Sequence, residues 1–372
     1  MRRGDGVRLL LAIILIWPIC AGTGCGGSLP GTDLPMARTV SPALEFPELR
    51  DYRGEIDCKM RQSGFDEAKL GELARGAQID FIFLGDYAKG ASTDFGIAGF
   101  TEQVLFIPGA SFKIGNRGAE IIALNLQHAI DAGRAAGDII GQIHEQGGLA
   151  LAVNPTQFTS PDEYALADAI EIYNQQTAWD AQGSWSRYLR AAFFTGRRLF
   201  TTLDLRPDAN LSTYDRMAAG SRVALVAGVG VAPQLPVMGT KVGTYDQVFQ
   251  VFTTHLLAPE RQTAPIVDAL RHGHAYVSFD LLGYVGNFAF FAQSGDRKVM
   301  MGDEVAMIPG LKLRIEMPAP AERLVILNNG AEVASAQNVS NFEYAPPGAG
   351  AYRVEAYRQG YPWIYSNPIY VR

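Results

Sequence analysis

Residues 52–87 read YRGEIDCKMRQSGFDEAKLGELARGAQIDFIFLGDY, and their pattern sets the fold class. Gly54-Glu55-Ile56-Asp57-Cys58-Lys59 reads as a short strand. From Asp66 to Arg75 the spacing predicts a helix, with Leu70 and Leu73 on one side and Glu67, Lys69 and Glu72 on the others. Ile79-Asp80-Phe81-Ile82-Phe83-Leu84 is a short apolar run bounded by turn signals, the pattern of a buried strand. Strand, helix and strand in one stretch make a βαβ unit, and such units build parallel sheets. Ligand sites of parallel α/β folds lie at the carboxyl ends of the strands. Those ends carry Asp57-Cys58-Lys59 and Gly85-Asp86-Tyr87. Residues two apart on a strand share a face, so Asp57 and Lys59 are expected to point the same way.

The alternation continues. Strands are predicted over 103–111, 120–125, 149–153, 169–174 and 223–228, with an edge strand over 275–279. Helices are predicted over 129–145, stopped by Gly147-Gly148, and over 212–219 and 264–272. The last eighty or so residues change character: short strands over 305–307, 311–316, 324–328, 342–344 and 352–357 are separated by turns, and Asn329-Gly330 is a hairpin signal. This predicts a small β-sandwich.

With these elements placed, the chain resembles the PHP (polymerase and histidinol phosphatase) family. Members carry His-x-His at the first strand end, then an Asp-Gly turn, a helix, and a strand ending in Thr-Asp-His. The histidines and the acid bind catalytic metals. Asp57-x-Lys59 and Gly85-Asp86-Tyr87 stand at those places here. Pro108-Gly109-Ala110-Ser111 stands where members often have Pro-Gly-x-Glu, and Asn154-Pro155 where they have His-Pro. Ala169-Ile170-Glu171-Ile172-Tyr173-Asn174 is similar to the family's Ile-Glu-x-Tyr-Asn, and Tyr214-Asp215 to its helical Trp-Asp pair. Gly228-Val229-Gly230-Val231-Ala232 takes the place of Gly-x-Asp-x-His. A second alignment puts that Asp at Asp204; Ala227-Gly228, Tyr245 and His255 favour the first. The ending from Pro362 to Tyr370 resembles the tail of secreted PHP proteins with an appended β domain. The resemblance implies an α/β fold: a distorted PHP-type β/α barrel over 51–295, then a β-sandwich over 296–372.

The framework matches and the metal ligands do not. Asp57, Lys59, Tyr87, Ser111, Asn154, Gly230 and Ala232 stand at ligand positions, and Asp86 is the one ligand retained. A PHP site needs clustered His, Asp and Glu around divalent metals, and a lysine repels a cation. The expectation is therefore no catalytic set, no bound metal and no cofactor. Asp57, Lys59, Asp86, Tyr87, Ser111 and Asn154 would form a vestigial pocket that binds a small anion or an envelope protein. Lys59 is expected to replace a metal ion, bonded to Asp86 and also to Asp57, with Tyr87 and Asn154 at the rim. The alternative is a metal-dependent phosphoesterase with a rebuilt site.

Other chemistry is sparse. His128 and His144 fall in helical stretches, and His255 is expected on another helix. His272-Gly273-His274 has ligand spacing but no carboxylate cluster beside it in sequence. Ser111 reads as a turn hydroxyl and Cys58 as a small buried side chain. The net charge of −6 and the absence of a basic stripe exclude a nucleic-acid surface.

The N-terminus reads as an export signal. Arg2, Arg3 and Arg8 precede an apolar run over 9–19, short for a bilayer span. Ala21-Gly22-Thr23-Gly24 then leads to Cys25, similar to the lipobox of bacterial lipoproteins, although Gly22 stands where Leu is usual. Cys20 is a poorer candidate, and a cleaved peptide without lipid is the alternative. The expected organisation is a lipoprotein-type signal over 1–25, a Pro/Gly-rich tether over 26–50, and a cell-envelope protein held to the membrane through Cys25. With Cys25 lipidated, Cys58 has no intramolecular disulfide partner.

Overall fold

Two short pieces of chain enter the sheet ahead of the stretch that sets the fold. They are β1 (Pro42–Ala43) and the start of β2 (Phe46–Cys58), paired antiparallel with Pro42 opposite Arg50. The computed structural model describes residues 42–88, 97–181, 206–237, 240–283 and 285–372; the readings on Cys20, Cys25, Asp204 and the signal peptide lie outside them. The tether expected up to residue 50 is thus already strand from residue 42, because β1 and the start of β2 pair with each other and a later strand takes up the ladder at Arg50.

The βαβ unit forms. Helix α1 (Glu67–Gly76) starts where the Asp66 side chain accepts the Lys69 amide at 2.8 Å, with Glu67 in its positively polarised first turn. It buries Leu70, Gly71 and Ala74 against the sheet. Burying Leu70 fully contributes about 1.5–3 kcal/mol. Strand β3 (Phe81–Leu84) is buried at all four residues, as a parallel strand covered on both faces must be.

Further on come β4 (Gly99–Thr101), β5 (Val104–Ile107), β6 (Gly109–Ile114), β7 (Ala119–Leu124), β8 (Leu149–Val153), β9 (Ala169–Asn174) and β10 (Ala224–Gly230). The single strand expected over 103–111 is two: Pro108 has no N–H to give a ladder, and the chain turns there from β3 to β7 as its partner. Helix α2 (Ala136–Glu145) is shorter than expected, because Asp131 accepts the Gly133 amide in a local turn ahead of it. Helices α3 (Gln175–Asp180) and α4 (Asp208–Ala218) follow β9 and precede β10.

The pairings around these strands return on themselves. β3 lies parallel to β2, β2 to β10, β10 to β9 and β9 to β8, while β7 is antiparallel to both β8 and β6. β6 then bridges back to the segment after β3: Ser111 N donates to the Asp86 carbonyl and Ala88 N to the Ser111 carbonyl, both at 3.0 Å. Alternate residues sort to two sides. Ile56, Phe81, Phe83, Ile122, Leu151 and Val226 pack in one cluster. Cys58, Ile82 and Leu84 pack with helix residues Leu70, Ala74, Ile139 and Ile143 in another.

β11 (Leu235–Val237) and β12 (Thr240–Val242) form a small hairpin, followed by α5 (Tyr245–Val248), β13 (Thr253–Ala258), α6 (Thr263–His272) and β14 (Ala275–Ser278). His255 lies on β13, not on a helix, in a run opened by the β-branched Thr253-Thr254. β14 is no edge: it pairs with β13 on one side and β21 (Tyr361–Ser366) on the other.

The C-terminal region is rich in β structure. It runs through β15 (Ala289–Ser294), β16 (Arg297–Met300), β17 (Glu304–Val305), β18 (Lys312–Asn328), β19 (Ala331–Tyr344), β20 (Gly350–Arg358), β21 and β22 (Ile369–Val371). A division at residue 295 cuts the β15–β16 hairpin, and β15 also pairs with β18. Asn329 and Gly330 both have positive φ between β18 and β19, the turn their sequence calls for. The region is pinned to the first by Arg353, which reaches Asp215 of α4 at 2.6 and 2.8 Å. Asn367 adds a second pin by bonding both backbone groups of Leu225. The whole is a mixed α/β, sheet-dominated structure.

Candidate functional site: an internal lysine among carboxylates

β2 does not alternate to its end. Ile56 packs in one cluster and Cys58 in the other, because Asp57 has φ +58° and turns the chain by one face. Strict alternation would have left Lys59 on the helix-covered side. The left-handed residue brings Asp57 and Lys59 together, by a different route from the one expected. Such a conformation on a non-glycine residue costs about 1–3 kcal/mol and is characteristic of sites. Asn154, at the end of β8, repeats it with φ +52°.

The Lys59 ammonium is buried and has three oxygen neighbours. It lies 2.5 Å from Asp57 Oδ1, 3.0 Å from Glu120 Oε2 and 3.2 Å from Ser111 Oγ. Tyr87 lies beside it, its ring centroid 5.0 Å from the nitrogen and its hydroxyl donating to Glu120 Oε1 at 2.9 Å. Beneath these, Asn174 donates its amide to Asp57 Oδ2 at 3.3 Å and to the two oxygens of Glu171 at 3.1 and 3.0 Å. The Asn174 carbonyl accepts the Thr177 amide and so caps α3.

Two glycines make room for the acids. A Cβ on Gly228 would stand 1.7 Å from Glu171 Oε1, and one on Gly85 would stand 2.3 Å from Asp57 Oδ1. Any larger residue there would force the carboxylates out.

Electrostatics follow from burial and from these neighbours. Burial alone would drive the Lys59 proton off, but Asp57 and Glu120 outweigh it and its pKa is raised. Burial pushes the Asp57 carboxyl up to about 7, against the pull of Lys59, and Glu120 adds to the rise. Glu171 is raised well above the carboxylate range by burial and then by the Asp57 charge. Tyr87 is raised by burial, and Glu120 pushes it further while Lys59 opposes.

Of the residues expected in the pocket, Asp57, Lys59, Tyr87, Ser111 and Asn154 gather at this mouth. Asp86 does not bond the ammonium as expected. Its Oδ1 accepts the Arg61 backbone amide at 2.9 Å, turned away by the loop that follows Lys59. Asn154 meets Thr177 and the Gly118 carbonyl, each at 3.0 Å. Glu120, Glu171 and Asn174 were missed as site residues. Their signal was a charged or amide residue inside an otherwise apolar strand run, which is uncommon unless it is partnered.

A PHP metal centre can be tested against these donors. Both oxygens of Asp57 and Glu171 already have protein partners, Glu120 gives one oxygen to Tyr87 and has the other against the Lys59 ammonium, Asn154 is committed on both its polar atoms, and Gly230 and Ala232 offer none. Lys59 fills the centre of the cluster. Among the described residues, no three His, Cys, Asp or Glu side chains gather to hold an ion. The residues present do not fit the family's metals.

The histidines are engaged elsewhere. His272 pairs with Asp268 at 3.3 Å and His274 with Asp303 at 3.0 Å, so each imidazole has its own carboxylate. Ser278, His255 and Asp51 stand in nucleophile–base–acid order, at 3.1 and 2.7 Å. All three are buried, however, and the Ser278 hydroxyl donates to Asp280 at 2.8 Å. That arrangement joins β2, β13 and β14 inside the structure.

No family model matches the chain, and no curated protein matches it. Among solved structures it is similar to a two-domain protein from Bacteroides vulgatus, described as containing a predicted PHP-like metal-dependent phosphoesterase. The identity is 11%, the match covers 90% of this chain and all of that one, and the TM-score is 0.41.

Proposed function

We propose that the chain is a PHP-like protein without metal-dependent hydrolysis, and that the mouth around Lys59 is a ligand-binding pocket. In this reading the returning ladder of β2, β3 and β6–β10 is a distorted PHP-type barrel, and the β-rich C-terminal region is its appended sandwich. The observation that carries the proposal is the Lys59 ammonium, in contact with Asp57, Glu120 and Ser111 where the family holds cations. An internal ammonium neutralises the acids that a metal would otherwise neutralise, and its positive charge excludes the metal. The pocket above it is polar, about 460 Å³ in volume, and open to solvent at Asn116, Thr177 and Asp180.

The test is metal analysis of the purified protein, together with hydrolysis of nucleotide and sugar phosphates with and without manganese or zinc. No stoichiometric metal and no stimulated turnover are expected. Robust metal-stimulated hydrolysis, abolished by Asp57→Ala or Asp86→Ala, would establish the rebuilt phosphoesterase instead. The same reading places the protein at the cell envelope through Cys25; a Cys25→Ser form that is processed and fractionates with membranes like the parent would remove the lipid anchor from it.

A further inference from the structure

The pocket above Lys59 has a donor and acceptor pattern that selects among ligands. The Lys59 ammonium hydrogen-bonds Asp57 and Ser111 and has the Glu120 carboxylate at 3.0 Å, so its charge is already matched by acids of the chain. Two of its three N–H groups are used, and an anion beside it would have to share it with two carboxylates. The Tyr87 hydroxyl is spent on Glu120 and the Thr177 hydroxyl on Asn154.

Other groups keep capacity toward the cavity. The Lys113 ammonium rests over the Tyr87 ring at 4.2 Å. Gln176 uses its carbonyl on the Val231 amide and keeps its NH₂. Asn116, on the turn between β6 and β7, lines the opening and makes no side-chain hydrogen bond among the described residues. These are donors. Facing them is an acceptor, the Glu120 carboxylate, whose Oε2 makes no hydrogen bond among the described residues although it lies 3.0 Å from the Lys59 nitrogen.

Phosphate and sulfate only accept hydrogen bonds, and here they would meet the Glu120 carboxylate as well as the Lys113 ammonium and the amide donors. The carboxylate repels them and leaves its own lone pairs without a donor. A hydroxyl both donates and accepts, so neighbouring hydroxyls on one carbon chain satisfy amide donors and the carboxylate together. We propose that this pocket binds an uncharged polyhydroxylated molecule, a sugar or polyol, in preference to a small anion. The inference rests on the mouth being a ligand site, and it replaces the anion expected from the sequence.

The experiment is a thermal-shift series with neutral mono- and disaccharides and with inorganic phosphate, each at the same millimolar concentration. It is run on the full mature chain and on the Asn116→Ala/Gln176→Ala double variant. Sugars stabilise any protein weakly by exclusion from its surface, so the informative quantity is the shift in the parent minus that in the variant. At least one neutral sugar is expected to give a pocket-dependent rise of about 2 °C or more, and phosphate none. A pocket-dependent rise with phosphate and with no sugar would overturn the ligand class. Equal shifts in parent and variant for every sugar would overturn it too. The hydrolysis assay is unaffected by either result, so failure here is distinguishable from failure of the non-hydrolytic reading.

Discussion

Replacing Lys59 with Met keeps the length of the side chain and removes its charge. The ammonium is buried, and two carboxylates face it at 2.5 and 3.0 Å. Without it, Asp57 and Glu120 face each other uncompensated, with Glu171 below. Breaking a buried pair by truncating one partner destabilises by about 3–5 kcal/mol. For a chain of this size that corresponds to a fall in Tm of about 4–6 °C. The loss must depend on pH. In the variant a buried carboxyl can be neutralised only by a proton, so its folded pKa rises above the unfolded value of about 4. A raised folded pKa means that the folded state binds more protons than the unfolded one between those values. Stability then falls as pH rises, by about 1.4 kcal/mol per pH unit for one proton. The gap between parent and Lys59→Met is therefore expected to be small near pH 5 and to widen toward pH 8. The assay is thermal or urea unfolding at both pH values, extended to a double-mutant cycle. Adding Asp57→Asn should recover about 1–3 kcal/mol of the loss, whereas Asp86→Asn, which makes no bond to the ammonium, should recover clearly less. A Lys59→Met protein as stable as the parent, or equal recovery by the two asparagines, would refute the internal-cation argument.

Two further outcomes follow from buried charges. Burial raises Glu171 well above the carboxylate range, so the folded state binds the extra proton and parent stability should decline as pH rises above that range, and Glu171→Gln should flatten that decline in paired unfolding curves. Arg353 joins the C-terminal region to α4 through Asp215 and also holds Glu355 at 2.6 Å; Arg353→Met should lose about 3–5 kcal/mol in urea unfolding, and Asp215→Asn added to it should lose little more.

Much of the backbone plan was legible in the sequence, because strand and helix signals are local. The β9 strand appears over Ala169–Asn174 as its pattern indicates, α1 begins after its Asp66 cap, and Asn329-Gly330 makes its turn. Errors came where a local pattern competes with a distant partner. Residues 42–50 look like tether and become strand because β1 folds back on β2, which β13 holds from Arg50 onward, about two hundred residues away in sequence. His255 looks helical by its surroundings, and the sheet overrides that preference.

The site divides along the same line. The identities of residues 57–59 and 85–87 alone put a lysine beside acids at two neighbouring strand ends. They cannot say which acids the lysine meets. Glu120 and Glu171 reach Lys59 and Asp57 through the pairing of β7, β9, β10 and β2, and Asp86 is withdrawn by its bond to the Arg61 amide. Charge interactions fall off with distance through space, not along the chain, so only the register of paired strands and the one-face turn at Asp57 decide which charges become partners.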